Sequence, residues 1–156
     1  MKPSSSSLEG VGIRYGLFMT LGLIAYFLIM KLVGLVHVIE LRTVNAVILV
    51  TFVWLGLKKF ENQHDHEIEY LQGIGLGILT SAVGVILFSI FIFFYLQLDN
   101  DLMASIRDRE TFGQYLNPYI LAFVIALEGI ASGFIATFII MQYLKKSRSA
   151  SKNPDR

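Results

Sequence analysis

The chain has no cysteine, which excludes disulfides, thiolate zinc sites and cysteine nucleophiles, and leaves the redox compartment unmarked. Charge is scarce as well. Asp, Glu, Lys and Arg make up 16% of the 156 residues, against roughly 25% in an ordinary soluble domain. The net charge is +1, so no global field exists to recruit nucleic acid. No Walker loop, nucleophile elbow or zinc-protease motif occurs. What fills the space is hydrocarbon: 54% of residues are hydrophobic and 13% aromatic.

The apolar residues fall in four runs, at 15–36, 41–57, 71–98 and 116–143. A bilayer core of ~30 Å takes about 20 residues of helix to cross. Four buried helices of a soluble protein would leave almost no polar faces to meet water. The expectation is therefore an all-α integral membrane four-helix bundle, a single domain over 13–146 flanked by disordered tails at 1–12 and 147–156. The second run is the short one, with Arg42, Thr43 and Asn45 at its start. Asn117 before Pro118 suits the N-cap and first position of the fourth helix. Four spans put both termini and the second-to-third loop on one side. That side holds Lys2, Arg14, Lys58, Lys59, Lys145, Lys146, Arg148, Lys152 and Arg156, the opposite side only Arg42, Arg107, Arg109 and, inside the first span, Lys31. The positive-inside rule then places the termini in the cytoplasm.

Three landmarks, "IRYGL" at 13–17, "WLGLKKF" at 54–60 and "YLQGIGLGILTS" at 70–81, resemble a family of bacterial membrane proteins catalogued as domain of unknown function 4199, over about residues 13–103. The resemblance implies four spans in a bacterial inner membrane and no established activity, so no catalytic residue is carried over.

Polar groups at apolar depth are the candidate sites. Glu128 lies near the middle of the fourth run. A charge there costs ~2.5–3.5 kcal/mol on insertion scales, so it is protonated, paired or facing a wet cavity. Lys31 is the one basic candidate near that depth, and Asn45, Thr80 and Ser81 are the neutral alternatives. Because Gly129 adjoins Glu128, the carboxylate is expected to face protein. Small residues recur at helical spacing, with Gly73, Gly77, Ser81 and Gly84 on the third run and Gly129, Gly133 and Thr137 on the fourth. Such rows let backbones approach and drive helix association in lipid. Intramolecular packing is the favoured reading over a homodimer seam.

His64, His66 and Glu67 precede the third run and are weak metal candidates, set against a solvated polar loop. No metal and no cofactor are expected. The loop at 99–114 carries Leu102, Met103 and Ile106, suited to a short interfacial helix facing the membrane, with an ordinary soluble connection as the equal alternative. The functional expectation is a non-enzymatic membrane scaffold or accessory subunit, with the lipid bilayer and a second copy or another membrane protein as partners. The alternative is a small oligomeric transporter or channel in which Glu128 couples protons or cations.

Overall fold

A computed structural model describes residues 7–34, 40–63, 69–109 and 112–152. They form α1 (Leu8–Leu32), α2 (Glu40–Gln63), α3 (Tyr70–Leu98), the short α4 (Asn100–Arg109), a 3-10 turn (Gly113–Tyr115) and α5 (Pro118–Lys152), with no strand among the described residues. Four of these helices are long and apolar enough to cross a bilayer: Leu8–Leu32, Thr43–Gln63, Tyr70–Leu98 and Pro118–Lys145.

Helix ends follow local chemistry more closely than hydropathy. Ser7 starts α1, its hydroxyl accepting the Gly10 N–H at 3.2 Å. Gly34, at φ 75°, stops it. Its N–H bonds the Lys31 carbonyl at 3.0 Å in the left-handed conformation that glycine adopts without penalty. The first span was expected to run to 36 because apolar residues continue past this stop. Residues 35–39 lie outside the described residues. Helix α2 runs through Lys58 and Lys59 to Gln63, beyond the expected end at 57, since lysine favours helix even where it ends an apolar run. Helical structure also enters stretches expected as tails, at 8–12 and 147–152. Loss of apolar anchors marks where packing stops, whereas the helix continues. At α5 the Asn117 side chain accepts the Ile120 N–H at 2.9 Å, with Pro118 in the first turn.

Helix α3 is the hub. It packs against α1, α2 and α5, and half of its apolar stretch is buried, against 22–28% for the other three. Gly12 and Gly16 of α1 lie on Leu79 and Val83, so α1 runs parallel to α3. Gly73 and Gly133 meet Met141 and Ser81, so α5 runs antiparallel. Gly22 and Gly56 meet Phe52 and Tyr15 across the α1–α2 seam, again antiparallel. The start of α1 and the end of α5 therefore lie at the same end. Away from the seams the surface is hydrocarbon, with Leu21, Phe123, Leu127 and Ile139 each more than 60% exposed. Such a continuous apolar exterior is stable only in lipid. The chain is an integral membrane protein.

Helix α4 departs from expectation. Leu102 and Met103 are buried and Ile106 packs on the same cluster, so its apolar face packs inward, next to the end of α3 and the 3-10 turn, instead of lying on the membrane. Across the α1–α3 seam, the Thr20 hydroxyl lies 3.0 Å from the Gly16 carbonyl and 3.2 Å from that of Gly84. Thr20→Val removes this shared donor. Interhelical bonds in membranes average about 0.6 kcal/mol, and thermal unfolding in detergent is expected to show a loss of that order.

Candidate functional site

The α3–α5 seam is built like a zipper. Going along α3 in steps of four, Gly73, Gly77, Ser81 and Val85 face Met141, Thr137, Gly133 and Gly129. Each rung pairs a glycine with a larger residue, and the glycine changes sides halfway. A Cβ on Gly77 would sit 2.3 Å from Thr137 Cγ2, and one on Gly133 2.3 Å from Ser81 Cβ. Both approaches are closer than carbon atoms tolerate. Gly84 belongs to the other seam, where its missing Cβ leaves room for Met19 Sδ. The hydroxyls between are satisfied locally: Thr80, Ser81 and Thr137 each donate to the carbonyl four residues earlier, at 2.8, 2.9 and 2.7 Å.

Glu128 is not in that seam. Gly129 rests on Val85, while Glu128 is exposed on the outward side of α5 and keeps an interaction within the chain. The expectation that Gly129 would carry the carboxylate inward fails because consecutive helix residues point about 100° apart. Glu128 stands level with position 86 of α3, set by the Gly129–Val85 contact. Ser81, level with Gly133, is five residues further along, and Thr80 lies beyond it.

Lys31 belongs to a different cluster. It lies in the last turn of α1, and its ammonium bonds both the Tyr95 hydroxyl and the Asp99 carboxylate of α3. The ammonium sits 4.6 Å from the centre of the Tyr95 ring, and Phe27 packs edge-on against the same ring at 5.1 Å. Tyr95 is nine residues from the level of Glu128, about 14 Å along the axis. The expected reach of Lys31 toward Glu128 is thereby replaced by a latch at the bundle end. Asp99 does double duty there. One oxygen takes Lys31, and the other accepts the Leu102 N–H at 3.0 Å, capping α4. The Lys31 contact first, and the Leu102 amide second, hold the Asp99 carboxyl below its ordinary value of 3.8. Its stabilising contribution is therefore complete above that value and is lost as pH falls through the lower, folded-state one. Protection of the Leu102 amide, taken against exchange of the unstructured chain at the same pH, is expected to hold down to about pH 4 and to fall below. Asp99→Ala should lower that protection above about pH 4, and the variant and the parent should converge as pH falls further.

Asn45, half-buried near the start of α2, has a buried Oδ1 with no hydrogen-bond partner. His64, His66 and Glu67 lie outside the described residues. Beside the latch, Tyr95, Leu98, Asp99, Asn100 and Asp101 line an open depression.

The family described as protein of unknown function DUF4199 matches residues 14–146, nearly the whole helical domain. The chain belongs to the DUF4199 family. The match extends into α5, to residue 146, past the 13–103 on which the sequence landmarks rest. No curated protein and no solved structure matches this DUF4199 chain. The family's description assigns no function, and the membrane architecture is read from this chain's own helices. Within that architecture, Asp99 is the residue that sequence reasoning missed. The signal was present as an aspartate three positions before Leu102, at the end of an apolar run, which is an N-cap pattern.

Proposed function

We propose that this DUF4199 chain is a non-enzymatic membrane module, a scaffold or accessory subunit of the bacterial inner membrane, with both termini in the cytoplasm. The observation that carries the reading is the α3–α5 zipper, in which each of four rungs sets a glycine in direct contact with a larger residue of the other helix. A seam of this kind resists the sliding that alternating access requires. Two further features support it: α4 packs its apolar face inward next to the end of α3, and the buried hydroxyls are satisfied on their own helices. The lipid bilayer and another membrane protein are the partners of such a module, and nucleic acid is not. The excess of basic residues at the end holding both termini supports the cytoplasmic assignment.

A second reading, a small oligomeric transporter or channel, is favoured by the placement of Glu128. An ionisable residue on an outward face at apolar depth is where neighbouring copies would enclose a coupling site. The two readings part on Glu128→Gln. For a scaffold, the variant inserts, keeps its thermal stability and leaves proton or cation flux into proteoliposomes at background, as in the parent. Flux in the parent that Glu128→Gln abolishes would establish transport instead.

A further inference from the structure

The two halves of the molecule have unequal apolar heights. On α3 and α5 the first amide or charged side chains met from mid-helix toward the end holding both termini are Gln72 and Gln142. They stand at one level, because Gly73 meets Met141, and Gln142 donates to the Tyr70 hydroxyl at 2.9 Å. On α2 the corresponding residues are Lys58 and Lys59. A Cβ on Gly56 would lie 3.6 Å from Thr80 Oγ1, so Lys58, two residues on, stands level with position 78 of α3. Arg14 of α1 stands about one residue deeper, level with position 79, since Tyr15 packs on Gly56. From 78 to 72 is six residues, or about 9 Å of helix. The cations of α1 and α2 therefore sit about 9 Å nearer the bilayer centre than the polar rim of α3 and α5.

All three cations are exposed, and two are folded over rings that lie one turn deeper. The Lys58 ammonium is 4.8 Å from the centre of the Trp54 ring, and the Arg14 guanidinium 5.7 Å from that of Phe18. Trp54 and Phe18 are themselves 39% and 43% exposed, hence on the lipid side. A short apolar height beside a tall one is a hydrophobic mismatch, relieved when headgroups are drawn inward against the short side. The headgroup that gains most from meeting two or three cations is one with net negative charge.

We propose that the α1–α2 face carries a headgroup site for anionic phospholipid, formed by Arg14, Lys58 and Lys59 beside Trp54. The site rests on the reading of the four helices as membrane spans. It lies at the foot of the step where α1 and α2 fall short of α3 and α5. The phosphate meets the cations there while the acyl chains cover Trp54 and Phe18. Occupancy lets the bilayer thin on one side of the molecule without leaving Arg14 and Lys58 in hydrocarbon.

Trp54 is the chain's single tryptophan, so its fluorescence reports on this site alone. The full chain is reconstituted in mixtures of plain phosphatidylcholine with either brominated phosphatidylcholine or brominated phosphatidylglycerol. Quenching by brominated phosphatidylglycerol is expected to indicate binding roughly fivefold tighter than that of phosphatidylcholine for each cation engaged. Lys58→Gln and Arg14→Gln should each remove about one such factor, and Lys58→Arg should keep it. Either Gln variant suffices if the other fails to reconstitute. Equal quenching by the two lipids in the parent chain, or a preference untouched by both Gln variants, overturns the site. Quenching by brominated phosphatidylcholine shows separately that Trp54 faces lipid. Its absence with both lipids overturns the spanning reading and the site together.

Discussion

Gly77→Leu is expected to abolish the folded protein in detergent, and Gly77→Ala to destabilise it severely. The Cβ added at Gly77 falls 2.3 Å from Thr137 Cγ2 and 2.4 Å from Thr137 Oγ1, and Thr137 is itself buried at 1% exposure. A threonine in a helix has no long flexible end to swing away, so the two backbones must part. Overpacking of this kind costs about 1–3 kcal/mol for one or two extra carbons, and separation of the seam would also loosen the rungs at Gly73 and Gly133. The complementary change tests the geometry instead of mere tolerance. Gly77→Ala combined with Thr137→Gly moves the bulk to the other side of the rung and should recover most of the lost thermal stability. Gly75 is the internal control. A Cβ there meets nothing within 4 Å, so Gly75→Ala should be neutral or stabilising by about 0.4–1 kcal/mol, by restricting the unfolded chain. A Gly75→Ala effect as large as that of Gly77→Ala would mean that the zipper is not where the stability resides.

The second large effect concerns Glu128. A carboxylate near the centre of a span costs ~2.5–3.5 kcal/mol on insertion scales, whereas leucine is favourable by about 0.3–0.6 kcal/mol. Glu128→Leu should therefore raise the insertion of an isolated α5 segment by about 3 kcal/mol in a translocon-dependent glycosylation assay. In the full chain, Glu128 is exposed outside the α3–α5 seam, so the same variant should leave the unfolding temperature in detergent unchanged or raised. A marked drop in that temperature would show that the interaction Glu128 makes within the chain is structural. An unchanged or raised temperature would show that this interaction does not offset the insertion penalty, and would point to use of Glu128 by a partner or by a second copy.

How much of this was legible beforehand depends on which physical signal each feature uses. The four helices were readable because hydrocarbon thickness sets a length and the apolar runs meet it. The rows of small residues were readable because spacing by four survives in the letters, and the structure sets Gly73, Gly77, Gly129 and Gly133 directly against Met141, Thr137, Val85 and Ser81. Partners were harder. Lys31 is only a candidate partner for Glu128, beside Asn45, Thr80 and Ser81, because depth is the one coordinate that the sequence supplies, and depth counted from an apolar run is off by however far the run overshoots the helix. Gly34 stops α1 at Leu32, which moves Lys31 from the interior to the rim, where Tyr95 and Asp99 meet it. Orientation failed for Glu128 for a related reason, since adjacency to Gly129 in the chain says nothing about adjacency on a helix face. The burial of Leu102 and Met103 depends on how α4 meets the end of α3 and the 3-10 turn, which no local pattern encodes.

Absence of cysteine makes the central claim directly testable. Single cysteines placed at Ser6, Gln63, Ser105 and Ser151 can be labelled in intact cells and in inverted membrane vesicles with a thiol reagent that does not cross the bilayer. Four spanning helices with both ends inside predict that Ser105→Cys alone is labelled in cells, and that the other three are labelled only in vesicles. Labelling of Ser6→Cys and Ser151→Cys from opposite sides, or of Gln63→Cys from the same side as Ser105→Cys, would contradict the four-span topology.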